Sequence, residues 1–245
     1  MPDQNLKNIF LSHKGRLIDK WEHYFYIYET HFAKYIGKSP KILEIGIYHG
    51  GSLQMWKKYF GTGASIVGMD INPECKNYEE EGIKIEIGDQ SDSSFWKSFF
   101  SKHGDFDIII DDGSHINLHQ IITFINAWPH LKEDGTFLVE DCHTSYWREY
   151  SGGYCSPGTF IEFSKRLIDQ QNAYWSRDAG SHIVTEMTNQ VRSISFHDSV
   201  VVFNKYTRHS QSKRVSMGIA SRSLNDAEQA VIEAANIAVQ DLHRE

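Results

Sequence analysis

Short apolar runs alternate with amphipathic stretches through the first 140 residues, and most of the runs stop at an acidic residue or a glycine. Residues 20–35 set Trp21, Tyr24, Phe25, Tyr28, Phe32 and Tyr35 at helical spacing. This predicts a helix laying an aromatic stripe on the core, with Tyr24 or Tyr28 available to line a pocket. Gly37-Lys38-Ser39-Pro40 ends it. Strands are then predicted at 41–45, 66–69, 83–87, 106–110 and 136–139, with amphipathic helices between them. Ser52 can cap the helix that runs to Phe60, and Asp92 or Ser93 the one carrying Phe95, Trp96, Phe99 and Phe100. A further helix follows Pro157.

Strand–helix alternation of this kind predicts a parallel sheet with helices on both faces. Val191–Phe196 and Val200–Phe203, joined by His197-Asp198-Ser199, predict a terminal antiparallel hairpin. The expected fold class is therefore α/β: a doubly wound, mostly parallel seven-stranded sheet in a single domain over residues 1–245. Residues 1–40 form a helical cap, 41–206 the core, and 207–245 a loop and a last helix. The loop, 207–222, is polar and basic, with Arg208, Lys213, Arg214 and Arg222. The Ala-rich helix at 225–242 can pack on the body or on a second copy, so a homo-oligomer is allowed.

Composition narrows the partners. A formal charge of −7 speaks against a nucleic-acid backbone. Cys75, Cys142 and Cys155 have no metal-site spacing and read as reduced thiols in a cytoplasmic protein. The polar start, Pro2-Asp3-Gln4-Asn5, does not read as a signal peptide, and no apolar run is long enough for a membrane span.

The turn after the first strand, Glu44-Ile45-Gly46-Ile47-Tyr48-His49-Gly50-Gly51-Ser52, opens a helix. Its glycines let a ligand approach the backbone closely. Asp70 ends the second strand, where an acidic residue commonly accepts hydrogen bonds from both ribose hydroxyls of a nucleoside. Asp89-Gln90, ending the third, is placed to meet a base edge. The GxGxxG spacing of a dinucleotide site is absent, which counts against an NAD-linked oxidoreductase.

Two acidic doublets carry the chemistry. Asp111-Asp112-Gly113-Ser114-His115 follows the fourth strand and Glu140-Asp141 the fifth. Clustered carboxylates repel one another unless a positive group joins them, and a divalent metal is the simplest one. His115 is close enough in sequence to share the site. Asp111 either caps the next helix or faces the cofactor, and His119 and His143 are alternative bases. An empty acidic cluster is costly, which argues against a noncatalytic nucleoside-binding scaffold. Residues 142–159, with Tyr146, Trp147 and Gly152-Gly153, read as a lid or acceptor loop.

Together these motifs resemble a class I S-adenosylmethionine-dependent methyltransferase. More narrowly, Leu43-Glu44-Ile45-Gly46 with Gly50-Gly51-Ser52-Leu53, Ile110 through His115, and Val139-Glu140-Asp141 with Thr144-Ser145-Tyr146-Trp147 resemble the macrocin-type sugar O-methyltransferases. The resemblance covers roughly residues 14–206. It implies S-adenosylmethionine bound by Glu44, Gly46, Gly50, Ser52, Asp70, Asp89, Gln90 and Asp111. It also implies Mg²⁺ (or Mn²⁺) on Asp112, Glu140 and Asp141, with His115 as general base. The implied acceptor is a small glycosylated molecule; a catechol-like diol on the same metal is the alternative. Tyr48 stands where many class I relatives have a second glycine.

Overall fold

The computed structural model describes residues 5–178, 180–216, 220 and 223–242. The chain divides into two compact units, Met1–Thr207 and Arg208–Glu245. The first contains strands β1 Lys41–Ile45, β2 Ser65–Asp70, β3 Ile83–Ile87, β4 Phe106–Asp111, β5 Leu131–Val139, β6 Val191–His197 and β7 Val200–Lys205. Its helices are α1 Leu6–Leu11, α2 Tyr24–Phe32, α3 Gly51–Phe60, α4 Ser93–His103, α5 Asn117–Ala127, α6 Phe160–Gln171 and α7 Glu186–Gln190. The second unit contains α8, Asp226–Leu242. Of the basic loop, residues 217–219, 221 and 222, Arg222 among them, lie outside the described residues, as do residues 1–4 of the polar start. No described helix is long and apolar enough to cross a membrane.

The seven strands run β3-β2-β1-β4-β5-β7-β6. The first five pair in parallel, and β7 pairs antiparallel with both β5 and β6. The expected doubly wound sheet with its hairpin is thus observed. Alternation along the buried strands separates two cores. Ile42, Ile66, Ile108, Ile110, Leu138 and Val202 pack against the face carrying α1, α2 and α3. Leu43, Ile45, Val67, Ile109, Phe137 and Phe203 pack against the face carrying α4, α5 and α6.

Two local expectations change. The helix predicted over 20–35 is shorter: α2 starts at Tyr24, and Ala33–Tyr35 is a 3-10 turn. Trp21 lies before the helix and is 57% exposed, because Lys20 and Trp21 are drawn to carboxylates at the sheet edge. Ser52 does not cap α3. Gly50, at φ +72°, takes the N-cap position, and the Ser52 hydroxyl donates to Glu44 Oε2 at 2.9 Å instead. For α4 the cap is Asp92, whose side chain accepts from the Ser94 N–H.

Helix α2 also meets the hairpin through two imidazoles. His31 Nε2 lies 2.9 Å from His197 Nε2, so one proton is shared between them. Burial, then His197, then Lys34 push His31 down to about 4, and burial lowers His197 as well. A histidine depressed in the folded state stabilises it above the ordinary pKa of about 6.5, and that stability is lost as pH falls toward 4. Between those limits the denaturation midpoint should fall more steeply in the wild type than in His31→Gln. Buried carboxylates raised in pKa act with opposite sign in the same window, but they are common to both proteins. Equal slopes would show that the pair does not titrate with unfolding.

Candidate functional site

Sheet register builds the site. Asp112 N–H donates to Ile45 O and Glu140 N–H to Asp111 O, each at 2.9 Å, so the ends of β1, β4 and β5 lie side by side. Gly46 turns the chain at φ +78°, and a Cβ there would sit 2.1 Å from the Asp112 carbonyl oxygen. That position requires glycine. Tyr48, His115 and Asp141 also have positive φ, at 47°, 57° and 52°. Three left-handed non-glycine residues beside one edge mark the strained backbone typical of functional sites.

The acidic doublets meet an unexpected cation. Lys20 Nζ lies 2.5 Å from Asp112 Oδ2, 3.0 Å from Glu140 Oε2 and 3.7 Å from Glu44 Oε1. Its side chain is 3% exposed. Burial alone would lower the ammonium's pKa, but Asp112, Glu140 and Glu44 together hold it well above the ordinary lysine value. Burial pushes Glu140 well up, reinforced by Asp112 and opposed by Lys20 and the Tyr28 hydroxyl. Burial raises Glu44 to about 7 and Asp111 to about 6. Three carboxylates around one ammonium leave an excess of negative charge, which draws in protons or a further cation.

Tyr28 donates to Glu140 Oε1 at 2.7 Å, and Tyr24 to Asp141 Oδ1 at 2.6 Å. Trp21 Nε1 donates to the same Asp141 oxygen at 3.1 Å. The other oxygen, Oδ2, faces His115 Nε2 at 3.4 Å. Asp112, His115 and Asp141 each offer a ligand atom within 4.8 Å of the others. His115 Nδ1 is buried without a hydrogen-bond partner, and Glu44 Oε1, 3.7 Å from Lys20 Nζ, also accepts no hydrogen bond. Hard oxygen donors with an excess of negative charge fit Mg²⁺ or Mn²⁺. Glu140 stands behind this group, its oxygens taken by Lys20 and Tyr28.

Two cavities flank this centre. A smaller one, of about 230 Å³, lies over the ends of β2 and β3. Gly46, Asp70, Asp89, Gln90 and His119 line it, with Ile71 as an apolar wall. Asp70 Oδ2 accepts from Ile47 N–H at 3.0 Å and Tyr48 N–H at 3.3 Å, which fixes the glycine turn. Gln90 spends its amide inside the protein: Nε2 donates to Asp111 and Thr123, and Oε1 accepts from Ser114 N–H. Asp89 accepts from the Ser91 N–H and hydroxyl. Glu44, Gly50, Ser52 and Asp111 line neither cavity. They support the turn and the strand ends from within, Ser52 through Glu44 and Asp111 through Gln90.

The larger cavity, of about 720 Å³, opens over Asp112, His115, Glu140 and Asp141, and Lys20, Trp21 and Tyr48 line it from above. Exposed rings mark its rim: Trp21 and Tyr48 are 57% and 64% exposed. Within 142–159 the chain is anchored. Asn117, 1% exposed, accepts from the Ser145 hydroxyl and Phe160 N–H and donates to Tyr150 O. That segment is tied to α5 by direct hydrogen bonds. Lys20 is the functional residue that sequence reasoning missed; its partners lie 92 and 120 positions away, and no local motif points to them.

No family model matches the chain. A curated relative from Streptomyces olivaceus, 8-demethyl-8-alpha-L-rhamnosyl tetracenomycin-C 2'-O-methyltransferase, is 35% identical over 199 residues, or 76% of this chain and 52% of the relative. Demethylmacrocin O-methyltransferase from Streptomyces fradiae is 38% identical over 165 residues, or 62% of this chain and 41% of the relative. The chain therefore spans about half the length of the curated relatives it matches. Among solved structures, the MycE methyltransferase of the mycinamycin biosynthetic pathway, in complex with Mg and SAH, superposes at TM-score 0.74 and 29% identity. The match covers 84% of this chain and 55% of that one. With the observed sheet order, the glycine turn and the paired acidic doublets, these matches show a class I methyltransferase fold that is similar in sequence and structure to the macrocin- and mycinamicin-type sugar O-methyltransferases.

Proposed function

We propose that this chain moves a methyl group from S-adenosylmethionine to a hydroxyl of a sugar on a glycosylated natural product, with help from a divalent metal. One observation carries the reading: the two cavities share Gly46, Asp70 and Gly113 as a common wall. A nucleoside seated in the smaller cavity thus has its sulfonium end directed at the acidic centre. Methyl transfer from a sulfonium needs mainly an oxygen nucleophile held in line, so placement is the greater part of the catalysis.

The residues divide the work accordingly. Asp70 faces the ribose position with its carboxylate already fixed by the turn. His115 stands at Asp141 with Nε2 toward the larger cavity, where it can take the proton of an acceptor hydroxyl. Tyr24 and Trp21 hold Asp141 so that Oδ2 faces inward. Asp112 and Asp141, with Glu140 behind them, would hold the metal, which when bound lowers the pKa of an acceptor hydroxyl and orients it. Trp21 and Tyr48 offer ring faces to a sugar or its aglycone. A cofactor-and-acceptor pair of this type fits the relatives: a second MycE complex contains Mg, SAH and Mycinamycin VI. Cytoplasmic residence belongs to the same proposal, supported by the free thiols of Cys75, Cys142 and Cys155.

The direct test is a panel of glycosylated acceptors with labelled methyl donor. Turnover should vanish in chelator and return with Mg²⁺ or Mn²⁺, while full turnover in chelator would remove the metal from the mechanism. Asp70→Ala deletes charge-assisted hydrogen bonds worth about 1.5–3 kcal/mol each, so calorimetry should show at least a ~tenfold loss of S-adenosylmethionine affinity. Unchanged affinity in the folded variant would move the ribose elsewhere. His115→Ala should lower kcat by about 10²–10⁴-fold with cofactor affinity nearly intact. A near-normal kcat would instead point to His119 or His143.

A further inference from the structure

Lys20 is the group in the acidic centre to which methyl transfer gives no task. Its ammonium touches Asp112 Oδ2 at 2.5 Å and Glu140 Oε2 at 3.0 Å. A Mg²⁺ ion held by both carboxylates needs oxygen contacts of about 2.0–2.1 Å, and the ammonium occupies the space between them. Two cations in that space would repel each other strongly at low dielectric. Either the ion takes only the outer donors, or the ammonium leaves.

We propose that Lys20 is a tethered cation that competes with the divalent ion: it holds the acidic centre together in the metal-free protein and withdraws when Asp112 and Glu140 take the metal. The inference rests on the metal half of the function proposed above. Three features favour withdrawal. Lysine carries a point charge on a flexible four-carbon stem, so the ammonium can move without the backbone. Residues 12–23, which carry it, lie outside any helix or strand. Lys20 also lines the larger cavity, into which it can swing toward the exposed Asp19 on the same rim. Buried carboxylates are costly without a counter-charge, which explains why a metal-free resting state keeps the ammonium there.

The test uses Mn²⁺ as the probe and does not depend on turnover. If the state with Lys20 withdrawn is about one-tenth populated or less, Lys20→Met should bind Mn²⁺ at least ~tenfold more tightly than the wild type. Because that variant leaves buried carboxylates unpaired and can fold poorly, the second measurement uses the wild-type protein alone. Trace acetylation read by mass spectrometry should find Lys20 unreactive without metal and severalfold more reactive at saturating Mn²⁺, with exposed Lys97 as the internal reference. If the wild type binds Mn²⁺ while Lys20 labelling stays flat or falls, Lys20 is a permanent counter-ion, and the competition is refuted with the metal role intact. Wild-type binding that is not improved in a folded Lys20→Met refutes the competition in the same way. Failure of both proteins to bind Mn²⁺ overturns the competition and the metal role together.

Discussion

Parallel register at three strand ends is the constraint on which the site depends. Ile45 O receives Asp112 N–H and Asp111 O receives Glu140 N–H, so three neighbouring strands must release their acidic residues at one height. Glu44, Asp111, Asp112 and Glu140 are thereby concentrated at an edge where 20% is the largest side-chain exposure among Glu44, Asp112 and Glu140. Such a concentration of charge cannot stand alone in a low-dielectric setting. Compensation comes from the N-terminal part of the chain: the Lys20 ammonium, the Tyr24 and Tyr28 hydroxyls and the Trp21 indole. These groups dock α2 and the segment before it onto the sheet edge. Tyr28 then continues into the core, stacked on Phe32 and edge-on to Trp56.

Much of this was legible in the sequence, for a definite reason. A strand buried on both faces is mostly apolar, so its end is announced by an acidic residue or glycine, as at Asp70, Gly88, Asp111 and Glu140. The hairpin was legible through its short polar link, 197–199. What sequence could not supply is the direction in which each side chain spends its bonds. Gln90 at a strand end looks poised for a ligand, yet its amide is taken by Asp111, Thr123 and Ser114. Ser52 has the chemistry of a cap, but Glu44 across the turn claims its hydroxyl. The aromatic periodicity from Trp21 implied a longer helix because periodicity records spacing and is blind to a competing pull. That pull, toward carboxylates more than ninety residues away, keeps Lys20 and Trp21 out of α2.

The segment that follows Glu140-Asp141 and the segment that precedes α2 are held by different forces. On one side, residues 144–160 are tied to α5 through Asn117, a buried neutral amide with direct bonds to Ser145, Tyr150 and Phe160. Neutral buried hydrogen bonds of this kind respond little to ions. On the other side, Lys20 is held by charge, and Trp21 and Tyr24 bond to a carboxylate that is itself a candidate ligand. Any cation arriving at Asp112 or Asp141 weakens the attraction that keeps Lys20, Trp21 and Tyr24 seated. Trp21, exposed on the larger cavity, belongs to the charge-held segment. The neutral anchoring of residues 144–160 is therefore indifferent to the cation content of the acidic edge, whereas the seating of Lys20, Trp21 and Tyr24 is coupled to it.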